Sequence, residues 1–254
     1  MAPLLEITGL RRSFGGVQAL RGAGFSVQPG TITALIGPNG AGKTTAFQCI
    51  SGVLRPDAGM VRFDGADITG WRPDRITQAG LVRTFQLARG ITRLSVLDNL
   101  LLYAQSQPGE GLVAAALGRG RAAEAEARAR AEAIAARLNL ARVLHHPAAA
   151  LSGGQKKLLE LGRALMASPR LVLLDEPIAG VNPSLAEEIA DHLRALQAEN
   201  VTFLIIEHHM DLIARLCDPV IVMAEGALLT QGSFAEVAAD PAVQDAYMGA
   251  RRWV

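Results

Sequence analysis

Two kinds of segment alternate along most of the chain. Short, almost wholly apolar runs at 31–36, 171–174 and 201–206 are typical of buried strands. Longer segments at 155–167 and 183–199 are predicted to be helices. Continuously apolar strands that are spaced by helices are typical of a parallel sheet covered on both faces. The pattern therefore predicts an α/β core.

The remaining predicted elements flank this core. Gly15 and Gly16 mark a turn between early strands, and two closing helices are predicted from local signals. Ser233 is a good N-cap for the first, and Pro241 after Asp240 is a good first residue for the second. The other expected elements are helices at 44–52 and 72–79 and strands at 4–8, 24–27, 60–63, 81–85 and within 219–230.

The section between about 87 and 150 has a different character, because it contains no clear strand pattern. Residues 121–137 alternate alanine with Glu and Arg, and the pairs Glu124/Arg128 and Glu126/Arg130 have the favourable helical spacing. A loop is expected at 105–111. The section is therefore predicted to be a helical insert, which could also be no more than a solvated excursion from the core.

The distribution of apolar residues argues against a membrane-spanning helix. Half of the 254 residues are hydrophobic, but the longest run without Asp, Glu, Lys or Arg, 22–42, holds six glycines and two prolines. A spanning helix needs about 20 consecutive apolar residues. The N-terminus also lacks the apolar stretch of a signal peptide. We therefore expect a soluble, cytoplasmic chain.

Net charge bears on the binding partners of the chain, and its cysteines bear on the redox compartment. The formal net charge is +1, so no overall field favours nucleic acid. Cys49 and Cys217 lie far apart in apolar sequence, and we expect buried free thiols in a reducing compartment.

The most specific motif follows the predicted strand 31–36. It has the phosphate-loop pattern G-x-x-x-x-G-K-[ST] between a strand and a helix. Glycines let the backbone N–H groups surround an anion at the helix start, the lysine supplies a charge for the β- and γ-phosphates, and the hydroxyl can bind Mg²⁺. The predicted ATP-binding residues here are Gly37, Pro38, Asn39, Gly40, Ala41, Gly42, Lys43, Thr44 and Thr45.

Two acids follow the buried strand 171–174. Ligands of open parallel sheets bind at the carboxyl ends of the strands, where Asp175 and Glu176 would emerge. Asp175 suits the Mg²⁺ shell, together with Thr44. Glu176 is the candidate general base for the water that attacks the γ-phosphate. With the phosphate loop, the pair predicts MgATP hydrolysis.

A second glycine-containing helix start is formed by Ser152, Gly153, Gly154 and Gln155. One phosphate loop already serves one nucleotide, so a second anion-binding helix start calls for another phosphate, which a second copy of the protein would supply. The plainer interpretation is a helix N-cap at Ser152.

With these three motifs, nearly the whole chain resembles the nucleotide-binding subunits of ABC transporters. The resemblance implies a RecA-like P-loop core with an N-terminal antiparallel β-subdomain and an inserted helical subdomain. It implies one ABC ATPase domain, with the core at 1–86 and 157–254 and the helical subdomain at 87–156. In this family two subunits pack head to tail, so the 152–155 motif of one copy would contact the γ-phosphate of ATP on the other.

Further site residues come from the same resemblance. Gln86 looks like the glutamine that reaches the metal and the attacking water, and His208 resembles the histidine that senses the γ-phosphate. The catalytic set implied is thus Glu176, His208, Gln86 and Lys43. Phe14 stands where the family stacks an aromatic ring on adenine, although a core phenylalanine is an alternative. Asn182 stands where many members carry aspartate, and His209 has no assigned role.

Several of these sequence segments resemble the branched-chain amino-acid importer subgroup of the family. Importers of urea and other amides are close relatives within that subgroup. The resemblance implies a homodimer or a heterodimer with a second ABC ATPase, transmembrane permease subunits that hold the chain at the cytoplasmic face of the membrane, and indirectly a periplasmic solute-binding protein. Segment 88–101 is the predicted permease contact. The alternatives are a lipopolysaccharide-exporter ATPase, a soluble ABC ATPase acting on nucleic acid, and a module that holds ATP without hydrolysing it.

Overall fold

The structure, a computed structural model, describes residues 2–84, 91–104 and 119–249. It divides into two compact units, which we describe separately. The first comprises Met1–Arg83, Arg170–Pro177 and Ala190–Val254, and the second comprises Thr84–Pro169 and Ile178–Ile189. The predicted subdomain boundaries at 86/87 and 156/157 stay a prediction.

The strands of the first unit form two sheets. A four-stranded antiparallel sheet has the order β2-β1-β4-β5, and a six-stranded sheet has the order β10-β9-β3-β8-β7-β6. The strands are β1 (Leu5–Phe14), β2 (Val17–Val27), β3 (Ile32–Ile36), β4 (Ala58–Phe63), β5 (Ala66–Asp67), β6 (Leu81–Arg83), β7 (Leu171–Asp175), β8 (Thr202–Ile206), β9 (Val220–Ala224) and β10 (Ala227–Gly232).

The larger sheet is parallel except at one edge. Strand β3 pairs in parallel with β8 and β9, and β7 pairs in parallel with β8 and β6, whereas β10 runs antiparallel to β9. All five residues of β3 and of β8 are buried, as their continuously apolar sequences predict. The predicted α/β fold with a separate antiparallel sheet is confirmed.

The first two strands are longer than predicted. They continue beyond 4–8 and 24–27 to a hairpin in which Phe14 pairs with Val17 across Gly15 and Gly16. The expected bounds were wrong because the outer half of this hairpin is largely exposed and its polar residues hide the strand pattern.

Each predicted helix is present. The helix Met210–Leu216 was not predicted, because its seven residues are too few for a clear helical period. The helices are α1 (Lys43–Ile50), α2 (Pro73–Gln78), α3 (Val96–Leu101), α4 (Arg119–Arg137), α5 (Gly153–Met166), α6 (Pro183–Ala198), α7 (Met210–Leu216), α8 (Phe234–Ala239) and α9 (Pro241–Gly249). Ser233 caps α8 by accepting from the Glu236 backbone N–H, and Pro241 begins α9, as predicted. The predicted loop at 105–111 lies outside the described residues.

Helix α1 is anchored in the core of the first unit. Its Phe47 and Ile50 are fully buried in a cluster that includes Leu35 of β3 and residues of both sheets.

Cys49 and Cys217 are buried free thiols, as expected. Burial raises the pKa of Cys49 to about 11 and that of Cys217 to about 12. Both thiols therefore stay protonated and unreactive at neutral pH.

In the second unit, α3, α4 and α5 pack against one another. Gly162 of α5 lies under Leu100 and Leu138, where an added methyl group would approach them to 3.0 and 3.1 Å. Arg130 of α4 donates to the carbonyl of Leu165 at 2.8 Å. Helix α4 is therefore a packed element of the insert and not only a solvated excursion.

No helix among the residues that the structure describes combines the length and the apolar character that crossing a bilayer requires.

Candidate nucleotide site

Three neighbouring strands of the parallel sheet end at the candidate site. Strand β8 lies between β3 and β7, and its Ile206 is paired with Leu35 on one side and with Asp175 on the other. The segments that follow these strands carry the phosphate loop, Glu176 and His208. Because carboxyl ends of parallel strands share one edge, residues far apart in sequence meet there.

The phosphate loop encloses its own lysine. Lys43 is the first residue of α1 and is only 7% exposed. Its Nζ donates to the carbonyls of Gly37 at 2.7 Å and Pro38 at 3.0 Å. The ammonium group is thus held inside the loop at the positive end of a helix, where it attracts an anion.

Two opposing effects act on the pKa of Lys43. Burial lowers the pKa of Lys43, and the negative charges of Glu176 and Asp175 oppose that shift without cancelling it. A phosphate group beside the ammonium would stabilise its charged form. The loop is therefore suited to a highly charged anionic ligand.

A cavity of about 710 Å³ opens above the loop, within the size range of small-molecule sites. It contains every loop position from 39 to 45, so seven of the predicted ATP-binding residues line one space. The lining residues are Asn39, Gly40, Ala41, Gly42, Lys43, Thr44, Thr45, Glu176, Ile206, His208, Val17, Gln18, Ala19, Arg21 and Glu225.

Gly37 at the start of the loop cannot carry a side chain. It has φ +146°, and a Cβ atom there would lie 2.0 Å from the backbone oxygen of Met223. We expect Gly37→Ala to lower the free energy of unfolding by at least about 2 kcal/mol, because both the loop and β9 must shift. Urea unfolding followed by circular dichroism would measure this loss.

Gly40→Ala is the matched control for that prediction. Gly40 also has positive φ, +81°, but an added Cβ would meet no atom within 4 Å. Only conformational strain should remain, so we expect a loss of about 1 kcal/mol. Equal losses in the two variants would contradict the proposed contact at Gly37.

Glu176 and His208 form a direct pair. The His208 Nε2 lies 3.0 Å from the Glu176 Oε1, and both side chains are close to half exposed. Because an ionised carboxylate only accepts, the Nε2 atom must carry the proton and donate. The Glu176 backbone has φ +50°, and its N–H donates to the Ile206 carbonyl at 2.9 Å. Strand β8 therefore orients both residues.

Asp175 has a cationic partner that the sequence analysis did not assign. Arg83 at the end of β6 donates from an Nη atom to the Asp175 Oδ2 at 3.1 Å. The Arg83 side chain is 10% exposed, and that of Asp175 is 29% exposed. The two residues are 92 positions apart, and the sequence gives no signal for this pair. Arg83 fixes the orientation of the predicted Mg²⁺ carboxylate.

The 152–155 motif lies in the second unit and forms a complete capping box. The Ser152 Oγ accepts from the Gln155 N–H at 3.2 Å, and the Gln155 side chain accepts from the Ser152 N–H at 3.0 Å. Ser152 and Gly153 are exposed, whereas Gly154 is buried beside Leu185. The N-cap interpretation is confirmed, and the exposed glycine N-terminal turn is still suited to an anion.

The other predicted site residues are not all brought to the cavity. Gln86 lies outside the described residues. Phe14 is 43% exposed and lies 5.0 Å from the Arg12 guanidinium, so it is not a core residue. The neighbouring Val17–Ala19 segment lines the cavity. The sequence analysis missed this segment because its residues form no motif.

Asn182 caps α6 by accepting from the Leu185 N–H at 2.9 Å.

Fold and site together define the class of the protein. A phosphate loop between β3 and α1, an acid pair after β7 and a histidine after β8 make a P-loop nucleotide-binding domain with an inserted helical unit. Known proteins match this chain over almost its whole length.

Profiles of two families match the sequence. The one described as ABC transporter matches residues 20–179, and the one described as branched-chain amino acid ATP-binding cassette transporter matches residues 227–252. A relative from Archaeoglobus fulgidus, "Probable branched-chain amino acid transport ATP-binding protein LivG", is 39% identical over 248 residues, or 98% of this chain and 96% of that protein. The BraF protein of Pseudomonas aeruginosa, named a high-affinity branched-chain amino acid transport ATP-binding protein, is 36% identical over 97% of this chain and 98% of its own length.

A solved structure agrees with these matches. The ADP conformation of an ATP-binding cassette of an ABC transporter has a TM-score of 0.85 and 36% identity, covering 98% of this chain and all of that one. The chain belongs to the ABC transporter family. It is an ATP-binding cassette with ATPase activity coupled to transport.

Proposed function

We propose that this chain is the energising subunit of a membrane importer for branched-chain amino acids or related small polar solutes. The observation that carries the proposal is the pairing of Glu176 with His208 in the cavity of the phosphate loop, in a cassette that matches LivG and BraF proteins over almost their whole length. The presence of this pair argues against a module that only holds ATP. Lipopolysaccharide export and action on nucleic acid are not favoured, since no relative reported above carries such a name.

The residues have distinct roles in this proposal. Residues 39–45 cradle the phosphates, and the Lys43 ammonium pairs with the β- and γ-phosphates. The Glu176 carboxylate accepts a proton from the attacking water while the water oxygen bonds to the γ-phosphorus and the bridging β–γ P–O bond breaks. With ATP bound, the His208 Nε2–H, which donates to Glu176 in this structure, would contact the γ-phosphate, and Gln86 would orient the water.

The donor set of the site also fits Mg²⁺. Thr44 is exposed and lines the cavity, and Asp175 at the end of β7 is held by Arg83. In the described part of the chain there is no cluster of three His, Cys, Asp or Glu side chains that would form a cation cage by itself. Mg²⁺ commonly takes one or two protein ligands plus phosphates and waters, and when bound it would neutralise phosphate charge.

A second copy, or a homologous ATPase, completes the site in this proposal. The exposed Ser152 and Gly153 at the start of α5 would contact the γ-phosphate of ATP held by the opposite subunit. Closure of the dimer would then depend on contacts that exist only with the triphosphate, so hydrolysis releases it. Hydrolysis is thereby coupled to movement of membrane subunits.

We infer that the permease contacts the described part of segment 88–101 and its continuation. Helix α3 buries Val96, Leu97 and Leu100, but Leu94 is 38% exposed and Leu102 is 52% exposed. Internal packing therefore accounts for one face of the segment and leaves apolar side chains for a partner. The cassette would lie at the cytoplasmic face of the membrane through that contact.

Affinity purification from membranes of the native host would test the assignment. We expect a tagged chain to co-elute with integral-membrane subunits, and the assembly in proteoliposomes to take up radiolabelled leucine when ATP and a solute-binding protein are supplied. The Glu176→Gln variant should assemble equally well and transport no leucine. Recovery of the chain bound to nucleic acid, or ATP-driven export by the assembly, would overturn the proposal.

A further inference from the structure

Glu207 is a buried acid that the mechanism above does not use. It lies between Ile206 at the end of β8 and His208, and only 2% of its surface is exposed. A buried carboxylate is costly unless hydrogen-bond donors surround it. Its partners therefore indicate what the residue is for.

Three of the contacts of Glu207 are with the two histidines that follow it. The Glu207 Oε2 accepts from the His208 N–H at 2.9 Å and from the His209 N–H at 3.4 Å. It also lies 3.1 Å from the His209 Nδ1, which must be protonated to donate to a carboxylate. One carboxylate oxygen thus binds the backbone of both histidines and the imidazole ring of His209.

These contacts hold a short link between two regular elements. Strand β8 ends at Ile206 and helix α7 begins at Met210, so the link is 207–209. N–H groups just ahead of a helix have no intrahelical partner. Glu207 satisfies those of His208 and His209, and its negative charge also lies near the positive end of α7. The carboxylate therefore determines the course of the backbone through the link.

The direction of the His208 side chain follows from that course. The His208 Nε2 lies 3.0 Å from the Glu176 Oε1, and the His208 side chain is 42% exposed. Because the side chain is only partly covered, its direction depends also on the course of the backbone that carries it. His209, with a side chain 61% exposed, pairs with Glu207 and not with the cavity.

We propose that Glu207 and His209 form an anchoring pair that positions His208 against Glu176. Both are positioning residues, since neither lines the cavity. The inference rests on the proposed role of His208 in hydrolysis. It gives His209, which has no role by resemblance, the task of donating to Glu207.

Single substitutions test the pair through ATP turnover and MgATP affinity. We expect His209→Ala to lower kcat about five- to tenfold and leave the Kd for MgATP within about twofold, because positioning matters mainly in the transition state. His209→Asn retains a side-chain N–H and should recover most of the rate. Glu207→Gln should also lower kcat, by about tenfold. His145→Ala, at an exposed histidine of the second unit, is the control and should keep the rate of the unsubstituted chain.

Double variants separate positioning from a general effect on folding. If the pair acts through His208, then adding His209→Ala or Glu207→Gln to His208→Ala should lower kcat less than twofold further. A full multiplicative loss in the double variants, or an unchanged kcat in His209→Ala, would overturn the inference. If His208→Ala itself keeps full activity, the proposed role of His208 fails instead. Should Glu207→Gln not fold, the exposed His209 variants decide the outcome alone.

Discussion

Replacing Glu176 with glutamine is expected to lower the steady-state rate of ATP hydrolysis about 100-fold or more. The amide keeps the size of the side chain and can still accept from the His208 Nε2, which lies 3.0 Å from the Glu176 Oε1. It cannot take a proton from the attacking water. The loss should therefore be in kcat, while the Kd for MgATP stays within about twofold, as phosphate-release assays and titration calorimetry would show.

An exposed carboxylate of the second unit provides the control. Glu132→Gln removes the same charge on the exposed surface of α4 and should leave the rate unchanged. Equal rates in the unsubstituted chain and in Glu176→Gln would remove Glu176 from the role of general base. A raised Kd with an unchanged kcat would instead assign Glu176 to substrate binding.

Lys43→Ala is expected to weaken MgATP binding by about 100-fold or more. The Lys43 Nζ already donates to two loop carbonyls, so it is positioned for the phosphates before the ligand arrives. Each hydrogen bond from a charged donor contributes about 1.5–3 kcal/mol, and about 1.4 kcal/mol corresponds to a tenfold change in affinity. Loss of the ammonium group should remove more than one such bond. Titration calorimetry with MgATP measures the change.

The chain has only three lysines, which makes the control simple. Lys157→Ala removes an ammonium group that lies 3.9 Å from Glu160 on α5 and should leave the affinity of the single subunit unaltered. Thermal unfolding without nucleotide would check that Lys43→Ala still folds. If the folded variant binds MgATP as tightly as the unsubstituted chain does, the phosphate-loop assignment is wrong.

Local sequence was sufficient where the interacting groups are neighbours in the chain. The phosphate loop could be predicted because its N–H groups, lysine and hydroxyl all fall within residues 37–45. The caps at Ser152 and Ser233 could be predicted for the same reason, since each box closes within three residues. The outer half of the β1–β2 hairpin could not, because exposed polar strand residues lack the alternation that marks a strand.

Contacts between distant segments needed the folded chain. The Arg83–Asp175 ion pair joins residues 92 apart, and the Glu176–His208 pair joins residues 32 apart. Sequence patterns place each side chain at a strand end but do not say which ends are adjacent. The order of β3, β8 and β7 decides this, since hydrogen bonding between these strands sets which side chains meet.

The amino-acid sequence is enough to identify an α/β P-loop ATPase cassette with an inserted helical section, because short-range motifs carry the phosphate and metal chemistry. How the acids and histidines are held depends on the folded chain. The burial of Glu207 is invisible in the sequence, where an acid and two histidines simply follow an apolar strand. Which of the three side chains is buried and which lines the cavity depends on the register of β8 in the sheet, and register is a property of strand pairing.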